Sequence, residues 1–188
     1  MKIVLIGRGR MGRLIEETAR AGGDEIVAAF GHDDLGKLAG LGKVTDVVID
    51  FSRPGALPNL CAYVRRTGTP LLSGTTGYTA AQKAELESLG TYAPVLWSAN
   101  FSLGVAVLVR ALQTVSGVLK PDFDIEITET HHNQKADAPS GTAKLLLEAI
   151  DPGHTRTAVY GREGNCGKRG KKEIGVHALR GGTVAGTH

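Results

Sequence analysis

The glycine-rich hexapeptide Gly7-Arg8-Gly9-Arg10-Met11-Gly12 constrains this chain more than any other feature. It follows the apolar run Ile3-Val4-Leu5-Ile6 directly and opens a helical pattern over residues 11–21. In a strand–turn–helix unit each glycine of such a G-x-G-x-x-G has its own physical reason. The first permits a tight turn, the second lets a pyrophosphate approach the backbone, and the third allows helix and sheet to pack closely. The helix start then turns its free N–H groups toward the anion. An ordinary glycine-rich turn has the same letters, but the placement between a strand and a helix points to dinucleotide binding.

The rest of the first half fits that reading. Short apolar runs over residues 26–30, 47–51, 70–73 and 95–97 alternate with helical patterns over 55–66 and 80–89. Strands that are apolar on both faces, with helices between them, imply a parallel sheet covered on both sides. The expectation is a Rossmann-type, doubly wound α/β domain over residues 1–101. Ligands of such sheets lie beyond the carboxyl ends of the strands. The loops Ser73-Gly74-Thr75-Thr76-Gly77 and Ser98-Ala99-Asn100-Phe101 follow two strand ends and offer small and hydroxyl groups to the nicotinamide ribose and carboxamide. The acid that grips the adenosine ribose belongs about 20 residues after the fingerprint. There the chain reads Gly31-His32-Asp33-Asp34, with no carboxylate at the strand end itself. Arg8, Arg10 and His32 suit a 2′-phosphate, so NADH, NADPH or both remain open as cofactors.

Character changes after Asn100. Residues 103–118 are apolar nearly all round, the pattern of a buried helix. Phe123-Asp124-Ile125-Glu126-Ile127 alternates with period two, as a strand with one wet face does. A helix over 140–150 and strands over 174–179 and 183–187 complete an α+β domain with an open mixed sheet, residues 102–188. The composition, 41% apolar and 22% charged, excludes a disordered chain. A net charge of +3 is too small to argue for nucleic acid or a membrane surface. The basic loop at residues 168–172 has no interleaved aromatics and reads as a solvated turn. Two cysteines, Cys61 and Cys166, make no disulfide framework, no apolar stretch reaches membrane-spanning length, and a cytoplasmic location is expected.

The chemistry is expected in the run Thr130-His131-His132-Asn133-Gln134-Lys135-Ala136-Asp137-Ala138-Pro139-Ser140-Gly141-Thr142. Ser140 is a good helix N-cap, and Gly141 and Thr142 supply first-turn N–H groups and a hydroxyl, which together suit a carboxylate. His131, His132 and Lys135 place three potential cations beside it, so an anionic substrate and a proton donor are what the cluster fits. The adjacent histidines lack the i, i+4 spacing of a helical metal site, and no metal is expected.

These residues resemble the bacterial dihydrodipicolinate reductase (4-hydroxy-tetrahydrodipicolinate reductase) family of the diaminopimelate route to lysine. The matching pieces are residues 7–12, Val48-Ile49-Asp50-Phe51-Ser52, Gly74-Thr75-Thr76-Gly77, Asn100-Phe101-Ser102 with Gly104-Val105, and above all residues 129–143. The resemblance implies reduction of a cyclic dicarboxylate imine by NADH or NADPH. It implies that His131 is the proton donor and acceptor and Lys135 a second donor, with His132, Ser140, Gly141 and Thr142 on the substrate. Gly7, Arg8, Gly9, Arg10, Met11, Gly12, Phe51, Gly74, Thr75, Thr76, Ser98, Ala99, Asn100 and Phe101 would line the cofactor, while Gly31-His32 stands where the family commonly has an acidic residue, so His32 is expected at the cofactor on its own chemistry. It also implies a homotetramer built through the sheet of the second domain, and a further strand and segment beyond His188. Two rival readings are a reductase of another small carboxylic acid, such as aspartate semialdehyde, and a non-catalytic nucleotide sensor on the same fold.

Overall fold

The computed structural model describes residues 1–188, which form two compact units, Met1–Ala99 and Asn100–His188. In the first, five strands run parallel: β1 (Lys2–Ile6), β2 (Glu25–Phe30), β3 (Val47–Asp50), β4 (Leu71–Ser73) and β5 (Val95–Trp97). Their order is β2-β1-β3-β4-β5. The chain steps from β1 to β2 on one side, then returns to β3 on the other, which is the doubly wound reversal. Three helices lie between strands: α1 (Arg10–Ala21), α2 (Leu57–Thr67) and α3 (Ala80–Ser88).

Burial explains the sequence pattern. Ile3, Val4, Leu5 and Ile6 are each at most 2% exposed, so β1 is covered on both faces. Leu57, Leu60, Tyr63 and Val64 drive one face of α2 into the same core as Val48 and Leu71. Gly68 ends α2 in the left-handed conformation, its N–H closing on the Val64 carbonyl. Thr79 and Gln82 start α3 with a reciprocal capping box.

The second unit holds α4 (Leu103–Leu119), β6 (Ile125–His131), α5 (Gly141–Ile150), β7 (Thr157–Tyr160) and β8 (Glu173–Arg180). Its strands are ordered β6-β8-β7. Ile127, Ile174 and Val176 of the sheet pack with Ala143, Leu146 and Ile150 of α5, and Val109 and Leu112 of α4 join from one side. All three strands are parallel, so the mixed character expected of this sheet is confined to one antiparallel bridge, Thr130 with Thr187. That bridge is all that forms of the strand expected over 183–187. β6 ends one residue beyond the bridge, at His131, so an antiparallel ladder has no strand to grow along toward residues 183–186.

The fully buried helix expected over 103–118 is also corrected. α4 packs against α5 along one stripe only, and its other sides are open. Leu103 is 79% exposed, Val107 61% and Val118 78%. A three-stranded sheet with one partner helix has too little surface to cover a helix that is apolar all round.

Candidate active site

Each unit carries part of the expected site. In the first, the turn after β1 is shaped by steric exclusion. A side chain on Gly12 would place Cβ 1.9 Å from the Gly7 carbonyl oxygen, and one on Gly7 would meet the Phe51 carbonyl oxygen at 2.2 Å. Gly7 also holds a positive φ of 103°. Gly9 differs: a Cβ there meets nothing within 4 Å. Its freedom faces open space, where a ligand would sit. The start of α1 lacks a side-chain cap, as does that of α2, which continues a preceding short helical turn at Pro54–Ala56, whereas α3, α4 and α5 are capped by Thr79, Ser102 and Ser140. The N–H groups of the first turn of α1 are therefore left for an outside acceptor. Arg8, Arg10 and Met11 are exposed around this turn, and the residues fit a pyrophosphate.

At the end of β2 the structure adds an acid. Asp34 folds back, one oxygen accepting from the Gly31 N–H and the other lying 3.4 Å from the Arg8 guanidinium. Arg8 also donates to the Ala29 carbonyl. His32 points away, largely exposed beside Asp33.

The loops after β3 and β4 are joined by hydrogen bonds. Asp50 is fully buried and accepts from Ser52 Oγ at 2.5 Å, Ser73 Oγ at 2.7 Å and Tyr78 OH at 3.3 Å. The Gly74 N–H donates to the Asp50 carbonyl, and the Ser52 N–H to Thr75 Oγ1. Trp97 Nε1 donates to the Thr75 carbonyl, and the Ser98 N–H to the Ser73 carbonyl. A Cβ on Gly74 would fall 2.2 Å from the Phe51 ring, so these two loops can touch only because Gly74 is a glycine. Phe51, Gly74, Thr75 and Ser98 are thus brought together, while Thr76 stands exposed at the rim.

In the second unit the run from β6 to α5 folds around one buried carboxylate. Glu129 is 1% exposed and its four hydrogen bonds use both oxygens. His131 Nδ1 (2.6 Å) and Arg180 Nη1 (2.7 Å) meet one oxygen, and Arg180 Nη2 (2.9 Å) and the Ser140 N–H (3.0 Å) meet the other. Burial alone would push this carboxyl up, but Arg180, His131 and the Ser140 amide outweigh it and hold it down at about 2. His131 is nearly buried, 8% exposed, and Gly186 packs on its ring.

Lys135 Nζ pairs with Asp137 at 2.6 Å, and Lys135 holds the Asp137 carboxyl below its ordinary value against the opposing effect of burial. Ser140 caps α5 by accepting from the Ala143 N–H, leaving Gly141 and Thr142 at the helix start. Asn100, expected on the cofactor side, also donates Nδ2 to Thr142 Oγ1 at 2.9 Å. His132 is half-buried, and its carbonyl accepts the Lys135 N–H. His188 stands edge-on to His131 with ring centroids 5.2 Å apart and bonds Ser140 Oγ at 2.8 Å. Burial and the neighbouring His131 lower its imidazole below the ordinary value.

Sequence reasoning missed Glu129, Arg180, Asp34 and Asp50 as site residues. Glu129 had a signal: it lies two residues before His131 on a strand, so both face one side. Arg180 had none. It reaches the site because β8 pairs with β6 in a register that sets Arg180 beside His131, and nothing in the letters fixes that register.

The chain matches two family models, "Dihydrodipicolinate reductase, N-terminus" over residues 1–101 and "Dihydrodipicolinate reductase, C-terminus" over residues 104–188. Curated relatives named 4-hydroxy-tetrahydrodipicolinate reductase include one from Exiguobacterium sp., 41% identical, covering 100% of this chain and 76% of that protein. Others come from Acinetobacter baumannii (38%, covering 98% and 77%) and Alkaliphilus metalliredigens (40%, covering 100% and 79%). The chain thus spans about three quarters of the length of these relatives. Among solved structures, dipicolinate-bound dihydrodipicolinate reductase from Paenisporosarcina sp. TG-14 shares the fold. Its TM-score is 0.69 at 24% identity, over 99% of this chain and 80% of that one.

Proposed function

The chain belongs to the dihydrodipicolinate reductase family, and on that premise we propose that it reduces 4-hydroxy-tetrahydrodipicolinate to tetrahydrodipicolinate with NADH or NADPH. The observation that carries this reading is that one short run, from the end of β6 to the start of α5, seats His131 and the Ser140 N–H on the buried Glu129 carboxylate and holds Lys135 beside Asp137. It combines a proton donor, a cation and free helix N–H groups, which suit a small dicarboxylate ring.

When bound, the nicotinamide supplies the hydride, and the remaining chemistry belongs to side chains. Residues 1–101 form the cofactor domain. Gly7, Gly9 and Gly12 keep the backbone low enough for a pyrophosphate, with Arg8, Arg10 and Met11 around it. Phe51, Gly74, Thr75, Thr76, Ser98, Ala99, Asn100 and Phe101 line the nicotinamide half. At the ribose, Asp34 suits a 2′-hydroxyl, while Arg8 and His32 suit a 2′-phosphate, which supports use of both cofactors.

Residues 102–188 form the substrate and assembly domain. The N–H groups of Gly141 and Thr142, with Ser140 and His132 beside them, hold one substrate carboxylate. Lys135 neutralises charge and stands as the second donor. As electrons move toward the imine, His131 gives up a proton from its imidazole. A homotetramer built through the exposed face of the β6-β8-β7 sheet, where Leu179 is 53% exposed, and a cytoplasmic location complete the proposal. No helix is long and apolar enough to cross a membrane.

The test couples dihydrodipicolinate synthase to the purified protein and follows loss of NADH and NADPH absorbance in parallel. Consumption of either, with Lys135→Ala and His131→Gln lowering kcat far more than cofactor affinity, is expected. Cofactor binding without oxidation would instead identify a nucleotide sensor, and turnover only with another acid would move the substrate. Light scattering of the same sample reads the assembly.

A further inference from the structure

We propose that Glu129 and Arg180 are positioning residues that fix the His131 imidazole with Nδ1 protonated, so that Nε2 is the end that gives and takes the proton. The inference rests on the reading of His131 as the proton donor.

The geometry decides the direction of the short bond between Glu129 and His131. An ionised carboxylate has no hydrogen to give, so in the 2.6 Å contact Nδ1 must be the donor. Glu129 stays ionised because Arg180 and the Ser140 N–H fill its remaining lone pairs, and its carboxyl is held down at about 2. The carboxylate therefore orients the ring without competing for the proton that the ring must deliver. When the Nε2–H bond breaks, its electron pair remains on Nε2 and the proton goes to the substrate. The neutral ring keeps Nδ1–H on Glu129, ready to be recharged at Nε2 from solvent.

Two further features bear on the same ring. Arg180 Nη2 also donates to the Asp137 carbonyl, tying the His131 clamp to the segment that carries Lys135. Gly186 covers the other edge, where a Cβ would stand 2.8 Å from Nε2 and 3.1 Å from Cδ2. Glycine keeps a Cβ off that nitrogen, whereas any side chain would crowd it. The clamp is assembled from β6, β8 and the start of α5, so the ring is held by elements and not by its own loop.

The test uses the full chain labelled with 15N-histidine, read by NMR at a pH where the His131 ring is neutral, together with steady-state kinetics. The wild-type ring is expected to carry its proton on Nδ1. In Glu129→Gln the amide donates to Nδ1 and the proton moves to Nε2. For that variant kcat falls about 100-fold while KM for the substrate stays within about threefold, as with other lost orienting partners. A wild-type neutral ring protonated on Nε2 overturns the proposal, and needs no variant to fold. Wild-type kcat in folded Glu129→Gln overturns it equally. Absence of turnover in the wild-type protein would remove the activity proposed above while the ring-proton result is judged by NMR alone.

Discussion

Replacing Gly9 by Ala separates what the glycine turn does for folding from what it does for a ligand. Gly9 has φ −75° and ψ −167°, a conformation open to Ala, and its Cβ would meet nothing within 4 Å. As an N-cap, Ala is worse than Gly by about 1 kcal/mol. The less flexible unfolded chain returns about 0.4–1 kcal/mol. The net change in stability is therefore within about 0.5 kcal/mol. The added methyl stands in open space at the uncapped start of α1, where the pyrophosphate is proposed to lie. Losing one charge-assisted hydrogen bond to a pyrophosphate, about 1.5–3 kcal/mol, weakens binding roughly 10- to 150-fold. Gly12→Ala behaves in the opposite way, since its Cβ falls 1.9 Å from the Gly7 carbonyl oxygen and costs about 3 kcal/mol of fold. Urea titration and NADH fluorescence titration on both variants read the two quantities. Wild-type NADH affinity in Gly9→Ala, with a normal urea midpoint, would refute the placement of the pyrophosphate at this turn.

Acid stability gives a second prediction. The Glu129 carboxyl falls from 4.5 to about 2 on folding, so its contribution is complete above pH 4.5 and is lost as pH drops through that window toward 2. The full size is about 3 kcal/mol, and Glu129→Gln removes this share of the pH dependence. Parallel stability curves for the two proteins between pH 2.5 and 6 would contradict it. Glu126 is also held down at about 2, chiefly by Arg162, but its side chain is 35% exposed and solvent screening makes it a smaller contributor. Asp50→Asn is expected to cost about 2–3 kcal/mol, because an amide in that fully buried position must face a hydroxyl that now donates to a carboxylate. An unchanged urea midpoint would show that the three hydroxyls re-orient freely.

The first unit was legible because its signals are local. Each strand is a short apolar run, each turn carries its glycine, and a parallel sheet covered on both faces leaves few other choices for such a pattern. The second unit was less so. The apolar sequence of α4 says that the helix avoids water but not that it finds cover, and three strands do not provide it. β7, with Thr157 and Tyr160 exposed, is an edge strand whose pattern is too weak to mark. Residues 183–187 have strand-forming letters, yet only Thr187 finds a partner. At the site, His131, Lys135 and Ser140 stand in one run and could be read together. Arg180 lies 51 residues from Glu129, and only the pairing of β6 with β8 brings it there.

That pairing has a consequence for how the protein is made. β8 is the middle strand of the ladder, with Ile174 the register partner of Ile125 on one side and Ala158 on the other, and the one further sheet contact of β6, the Thr130–Thr187 bridge, involves a residue later still in the chain. No sheet hydrogen bond can form in this unit until residues 173–180 have left the ribosome. β1, by contrast, meets β2 across a single helix. The first unit can mature in step with synthesis, while the second must wait and then close long-range contacts together, the slow kind of folding step. During that wait β6 is a bare strand edge whose Glu129 still lacks Arg180, so the segment proposed to carry the chemistry is open to mispairing. Translation speed just ahead of β8 would therefore govern the yield of active protein more than speed anywhere in the first hundred residues.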